Sequence, residues 1–101
     1  MTERIRVAAR GELSSGSCKT VEASGRTIAL YNVEGTFYAT DNTCAHQGGP
    51  LGEGLLDGTT VTCPWHAWQF DVCTGQSAFS IDHRVEVFPV VVEGDDVFVE
   101  I

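Results

Sequence analysis

Two short stretches constrain this chain more than any other feature: Cys44-Ala45-His46 and, after sixteen intervening residues, Cys63-Pro64-Trp65-His66. Thiolate sulfur and neutral imidazole nitrogen are ligands for soft and borderline metals. Each stretch supplies one of each, which points to two loops closing on a single inorganic centre. A structural zinc site usually takes its paired ligands two to four residues apart. The single residue between Cys44 and His46 is therefore tight for one tetrahedral ion. It suits a two-metal cluster better, because neighbouring ligands can then go to different metals.

The pattern resembles the Rieske [2Fe-2S] family, whose signature is C-x-H, a gap of about sixteen residues, and C-x-x-H with Pro after the second Cys. The similarity continues through Gln47-Gly48-Gly49-Pro50-Leu51 and Gln69-Phe70-Asp71-Val72-Cys73-Thr74-Gly75, and covers most of the chain. In that family both thiolates hold one iron and both histidines the other. By position, the resemblance implies Cys44 and Cys63 on one iron and His46 and His66 on the other, with one Rieske-type [2Fe-2S] cluster as cofactor.

The chain has 101 residues, enough for one domain with a small core at 43% hydrophobic content. Small domains often need a metal to secure irregular loops. The formal net charge of −8 argues against nucleic acid or an anionic membrane as partner. The acidity either keeps the protein soluble or steers it toward a basic partner. Met1 to Val7 has no apolar signal core, and no apolar run approaches the roughly 20 residues needed to span a bilayer. A cytoplasmic location is expected. In that reducing compartment Cys18 and Cys73 stay free thiols.

Strand signals run from Ile5 to Ala8 and from Cys18 to Ala23, with a Gly- and Ser-rich loop over Gly11 to Ser17. Arg26 to Val33 and Phe37 to Ala39 flank Glu34-Gly35 as a hairpin. Thr59 to Thr62 and Gln69 to Val72 read as short strands framing the second ligand loop. Val85 to Val92 and Val97 to Ile101 flank residues 93–96 as another hairpin, with Pro89 at an edge or bulge. No segment holds a 3.6-residue apolar period, so little helix is expected. The expected organisation is one domain, 1–101: a β base from 1–40 and 76–101, and a cluster-binding subdomain from 41–75. The resemblance implies an all-β fold, an antiparallel β-sandwich with a smaller β subdomain inserted at its tip.

Respiratory members of the family carry C-P-C-H-G-S in the second loop and a Tyr two residues later. Their hydroxyls donate to cluster sulfurs, and an extra Cys in each loop forms a disulfide. Here Trp65, Trp68 and Phe70 replace that Cys, the Ser and the Tyr, and Gly49 stands where the partner Cys belongs. Ala67 replaces the usual Gly after the second His, and Ser77 to Arg84 lacks the proline of the shielding loop. The resemblance is therefore to low-potential bacterial ferredoxins that feed oxygenases.

What this implies is a one-electron carrier, not itself an enzyme, taking electrons from a flavin-containing reductase and passing them to a terminal ring-hydroxylating-type oxygenase. Two alternatives stand beside it: a Rieske-type small subunit of an NAD(P)H-dependent nitrite reductase, and a zinc-binding structural or interaction module. Trp65 and Trp68 either pack, cover the cluster or form a docking surface. His83 reads as a surface residue and Cys73 as a buried small hydrophobe. No nucleophile–base pair is evident.

Overall fold

The computed structural model describes residues 3–43, 49–65, 68–78 and 83–101. Among these residues ten strands build three antiparallel sheets. β1 (Arg4–Ala9), β10 (Asp96–Glu100) and β9 (Val90–Glu93) form the first, in the order β1-β10-β9. β2 (Ser17–Ala23), β3 (Arg26–Val33), β4 (Thr36–Asp41) and β8 (Val87–Phe88) form the second, in the order β2-β3-β4-β8. β5 (Leu55–Asp57), β6 (Thr60–Thr62) and β7 (Gln69–Asp71) form a small third sheet. Helix is confined, among the described residues, to two 3-10 turns at Arg10–Glu12 and Leu51–Glu53. The expected all-β, antiparallel class is the class observed.

β3 organises the molecule because it is buried on both faces. Side chains alternate across a strand. Ile28 and Leu30 enter a core with Val21, Phe37, Ala39, Phe88, Val97 and Val99, which fills the space between the first two sheets. Ala29 and Tyr31 enter a second core with Leu51, Val61, Cys63, Phe70, Val72 and Val85. That double burial explains why Ile28-Ala29-Leu30-Tyr31 runs apolar without alternation. The second core fixes the small sheet, and Cys63 with it, against the back of the sandwich.

The C-terminal segment departs from expectation. Val85 to Val92 is not one run: Val87–Phe88 pairs with β4, whereas Val90–Glu93 pairs with β10. The chain changes sheets at Pro89, which has no N–H to donate. Its carbonyl accepts the Glu100 N–H at 3.0 Å. Asp96 then returns opposite Glu93, giving the expected β9–β10 hairpin. β5, only three residues long, was not anticipated. The loop expected over 11–17 is shorter, since Arg10–Glu12 is a 3-10 turn and Ser17 already belongs to β2.

Candidate functional site

Each expected ligand loop rises from a pinned stem. The first leaves β4 at Asp41, whose Oδ1 accepts the Thr43 N–H at 2.9 Å, an Asx turn. An antiparallel bridge between Thr43 and Pro50 closes the loop. Asn42 anchors it from below. Its Oδ1 accepts the Gly52 N–H at 2.8 Å and the Thr20 hydroxyl at 3.2 Å, and its carbonyl accepts the Leu51 N–H at 2.8 Å. Gly52 sits so tightly on β2 that a Cβ there would lie 2.4 Å from Thr20 Oγ1 and 2.7 Å from the Thr20 nitrogen. Only glycine lets the backbone approach that closely.

The second loop is a hairpin tip. β6 and β7 pair up to Thr62 opposite Gln69, and the Cys63 N–H donates to the Trp68 carbonyl at 2.7 Å. Cys63 is 1% exposed. The Trp65 N–H points at its Sγ, 3.4 Å away. A hydrogen bond of that kind stabilises negative charge on sulfur and is one of the means by which a protein tunes an iron–sulfur centre.

The two loops meet. A Cβ built on Gly49 would stand 2.7 Å from Cys63 Sγ, 2.9 Å from Trp65 Cγ and 3.0 Å from Trp65 Cβ. The end of the first loop is therefore packed against the sulfur and the indole of the second. Cys44, His46 and His66 lie outside the described residues, as do residues 79–82 of the proline-free segment between Ser77 and Arg84. Cys63 is the expected ligand that the structure describes. A buried sulfur that accepts an N–H is suited to hold a metal as thiolate, so Cys63, the described member of the set, fits a cluster ligand.

The neighbouring side chains sort themselves by contact. Trp65 is 51% exposed, while Trp68 packs against the second core. Trp68 meets His83 edge-on, ring centroids 4.9 Å apart. His83 is thus not a plain surface residue: it is half-buried, and its Nδ1 is buried with no hydrogen-bond partner among the described residues. Cys73 is not a buried hydrophobe. It is exposed, its N–H held by Asp71 Oδ1 at 2.7 Å in a second Asx turn. A hydrogen bond with the Cys73 side chain, and the negative charge of its thiolate form, hold the Tyr38 hydroxyl above its ordinary range. Cys18 is half-buried, and burial pushes its thiol up; its Sγ contacts the Gly54 carbonyl at 3.4 Å. Asn42 escaped the sequence reading, because an Asn beside Asp in a loop signals a turn and nothing about what it ties together.

A family model of the Rieske [2Fe-2S] domain matches residues 3–89. The ferredoxin component of a naphthalene 1,2-dioxygenase system from Pseudomonas aeruginosa is 38% identical over 103 residues, covering 100% of this chain and 99% of that protein. A chain in a complex of reduced oxygenase and oxidised ferredoxin of carbazole 1,9a-dioxygenase superposes with a TM-score of 0.87 at 38% identity, over 95% of this chain and 91% of that one. The ferredoxin of carbazole 1,9a-dioxygenase from Nocardioides aromaticivorans IC177 superposes with a TM-score of 0.89 at 28% identity, over 95% of each chain.

Proposed function

Because the chain belongs to the Rieske [2Fe-2S] domain family, we propose that it is a one-electron carrier between a flavin-containing reductase and a terminal ring-hydroxylating-type oxygenase. End-to-end similarity to a dioxygenase-system ferredoxin component carries this reading. The family's cofactor is one Rieske-type cluster, which when bound takes up and releases a single electron with little rearrangement. In this reading Cys44 and Cys63 hold one iron, and His46 and His66 the other. The cluster-binding subdomain spans 41–75, on a base of 1–40 and 76–101.

The chain's own residues provide the frame. Asn42 and the Thr43–Pro50 bridge fix the first loop; the β6–β7 stem fixes the second. The Trp65 N–H at Cys63 Sγ favours the thiolate and its added charge on reduction. In this reading the chain is a component of an oxidoreductase system, and the oxygenase carries the chemistry. A reducing compartment, the cytoplasm, would keep Cys18 and Cys73 as free thiols.

Iron and inorganic sulfide should be present in equal amounts in the purified protein, which a zinc module excludes. Electron spin resonance of the reduced form should show mixed nitrogen and sulfur ligation. His46→Cys or His66→Cys should alter that signal and His83→Ala should not. Adding the protein to a flavin reductase and a ring-hydroxylating oxygenase should restore NADH-dependent oxygenation. A wild-type signal after either motif substitution overturns the ligand assignment, and no gain in turnover overturns the carrier role.

A further inference from the structure

Among the described residues, the buried side-chain polar atom left without a hydrogen-bond partner is His83 Nδ1. Buried polar groups are nearly always paired, and an exception asks for a reason, a redox role among them. The rest of His83 is held. Its carbonyl accepts the Ser77 N–H at 3.0 Å and an Nε2–H of Gln76 at 3.2 Å. Its ring meets Trp68 edge-on, centroids 4.9 Å apart. Trp68 in turn reaches the site: its carbonyl accepts the Cys63 N–H at 2.7 Å, and its side chain packs on the core that holds Cys63. One residue thus stands between this imidazole and a proposed iron ligand.

The charges near His83 are turned to other partners. Arg84, next in the chain, sends its guanidinium to the Thr74 carbonyl at 3.1 Å. Asp71, at the end of β7, holds the Cys73 N–H with its Oδ1 at 2.7 Å. The Cys73 side chain bonds with Tyr38, and the Cys18 thiol faces the Gly54 carbonyl. No carboxylate is within ion-pair distance of His83 among the described residues; Asp82 lies outside them. Imidazole is the side chain whose ordinary charge change falls between about pH 5 and 8. An added charge acts more strongly across a protein interior than across water. An imidazole with an unpaired nitrogen and no acid beside it, one residue from a centre that gains an electron, has the means to answer that electron with a proton.

We propose that His83 couples a proton to the electron: as the cluster is reduced, the neutral imidazole takes one proton from solvent, and it returns that proton when the electron leaves. The inference rests on the carrier reading and adds to it a pH control on driving force. The electron comes from the reductase and the proton from water, so no further reactant is needed. His83 binds no iron and acts on the cluster through its charge. The coupling is reciprocal. An imidazolium beside the site favours the reduced cluster, so the midpoint falls as pH rises through the imidazole range and the carrier becomes a stronger donor.

The test uses the cluster-loaded protein. Voltammetry across about pH 5 to 8 should show a midpoint that falls with rising pH in the wild type and stays level in His83→Asn and His83→Phe, with the same visible spectrum in all three. Nuclear magnetic resonance of histidine labelled with heavy nitrogen, with His83 assigned by its contact with Trp68, reads the proton directly. It should give His83 a proton affinity about fivefold or more higher in the reduced than in the oxidised protein. That measurement uses the wild type alone, so it decides even where a variant fails to load its cluster. A level wild-type midpoint, a pH dependence that survives both substitutions, or equal proton affinities in the two redox states overturns the proposal. A wild type that holds zinc, or that shows no reversible one-electron wave, overturns the carrier reading beneath it; a reversible wave that is level with pH overturns the proposal alone.

Discussion

Gly49 lies so close to Cys63 that a Cβ built on it would stand 2.7 Å from the cysteine sulfur. Cβ atoms do not approach sulfur that closely, so the first loop reaches the second only because residue 49 has no side chain. The same glycine meets Trp65, which fills the space beside it. Gly49 and Trp65 occupy the positions where respiratory relatives place two bonded cysteines. In this chain, packing of an indole over a glycine takes the place of that covalent link.

Gly49→Ala should therefore push the loops apart. Overpacking costs about 1–3 kcal/mol, and here the displaced atom is a proposed ligand. The expected result is reduced iron per chain and a shifted visible spectrum, with the β base still folded by circular dichroism. Full iron content with a wild-type spectrum would show that the approach is not needed.

Asn42→Ala should act from below the site. It strands the Gly52 N–H and the Thr20 hydroxyl, both held by Asn42 Oδ1. Leaving a buried polar group unpaired costs about 1–3 kcal/mol. Chemical denaturation should show that loss, and cluster release on warming should come earlier than in wild type. An unchanged denaturation midpoint would mean that water replaces the amide without cost.

The cysteines outside the motif should separate by reactivity. Thiolate is the species that alkylating reagents attack. Burial raises the Cys18 thiol, so the protonated form persists to higher pH than in a free thiol, and its reaction should lag until the pH is well above neutral. Cys73 is exposed and should label first with iodoacetamide near neutral pH. The sign for stability follows: burial favours the protonated Cys18, so its contribution is present at neutral pH and is lost as pH rises past the ordinary thiol range. Peptide mapping in which Cys18 labels as fast as Cys73 would contradict the burial.

These cases mark how far residues alone can be read. The hairpins around Glu34-Gly35 and Gly94 were legible because a turn between β-prone runs is a local signal, and the observed pairs Val33–Thr36 and Glu93–Asp96 close them. Pro89 signalled an interruption, but which sheet each half joins depends on distant strands. The double burial of β3 was hidden for the same reason: Ala29 and Tyr31 face a second core built from residues at 51, 61, 70, 72 and 85. Cys73 misled because a cysteine's burial follows from context, here an exposed Asx turn. Cys63 stood out as a candidate because metal chemistry restricts the choice of side chain, and Gly49 by its place opposite residue 65; Asn42 did not, because packing and turn hydrogen bonds leave no such restriction.

The last prediction concerns potential. Rieske centres span roughly −150 to +300 mV. Trp68 and Phe70 stand where respiratory relatives have a serine and a tyrosine, so the two hydroxyl donors to cluster sulfurs are missing. The chain carries a formal charge of −8, which also opposes adding an electron. Among the described residues, the Trp65 N–H donates to Cys63 Sγ. Voltammetry should therefore give a midpoint near the bottom of the range, about −150 mV. Trp68→Ser with Phe70→Tyr should raise it. The structure sets the conditions for that experiment: Phe70 is fully buried and Trp68 packs against the same core and His83. Trp68→Ser removes an indole from that contact and should lower stability, so the single Phe70→Tyr is the gentler variant and should raise the midpoint by itself if its hydroxyl reaches the cysteine sulfur. A wild-type midpoint above about +100 mV would place the centre with the respiratory type and defeat the oxygenase-ferredoxin reading.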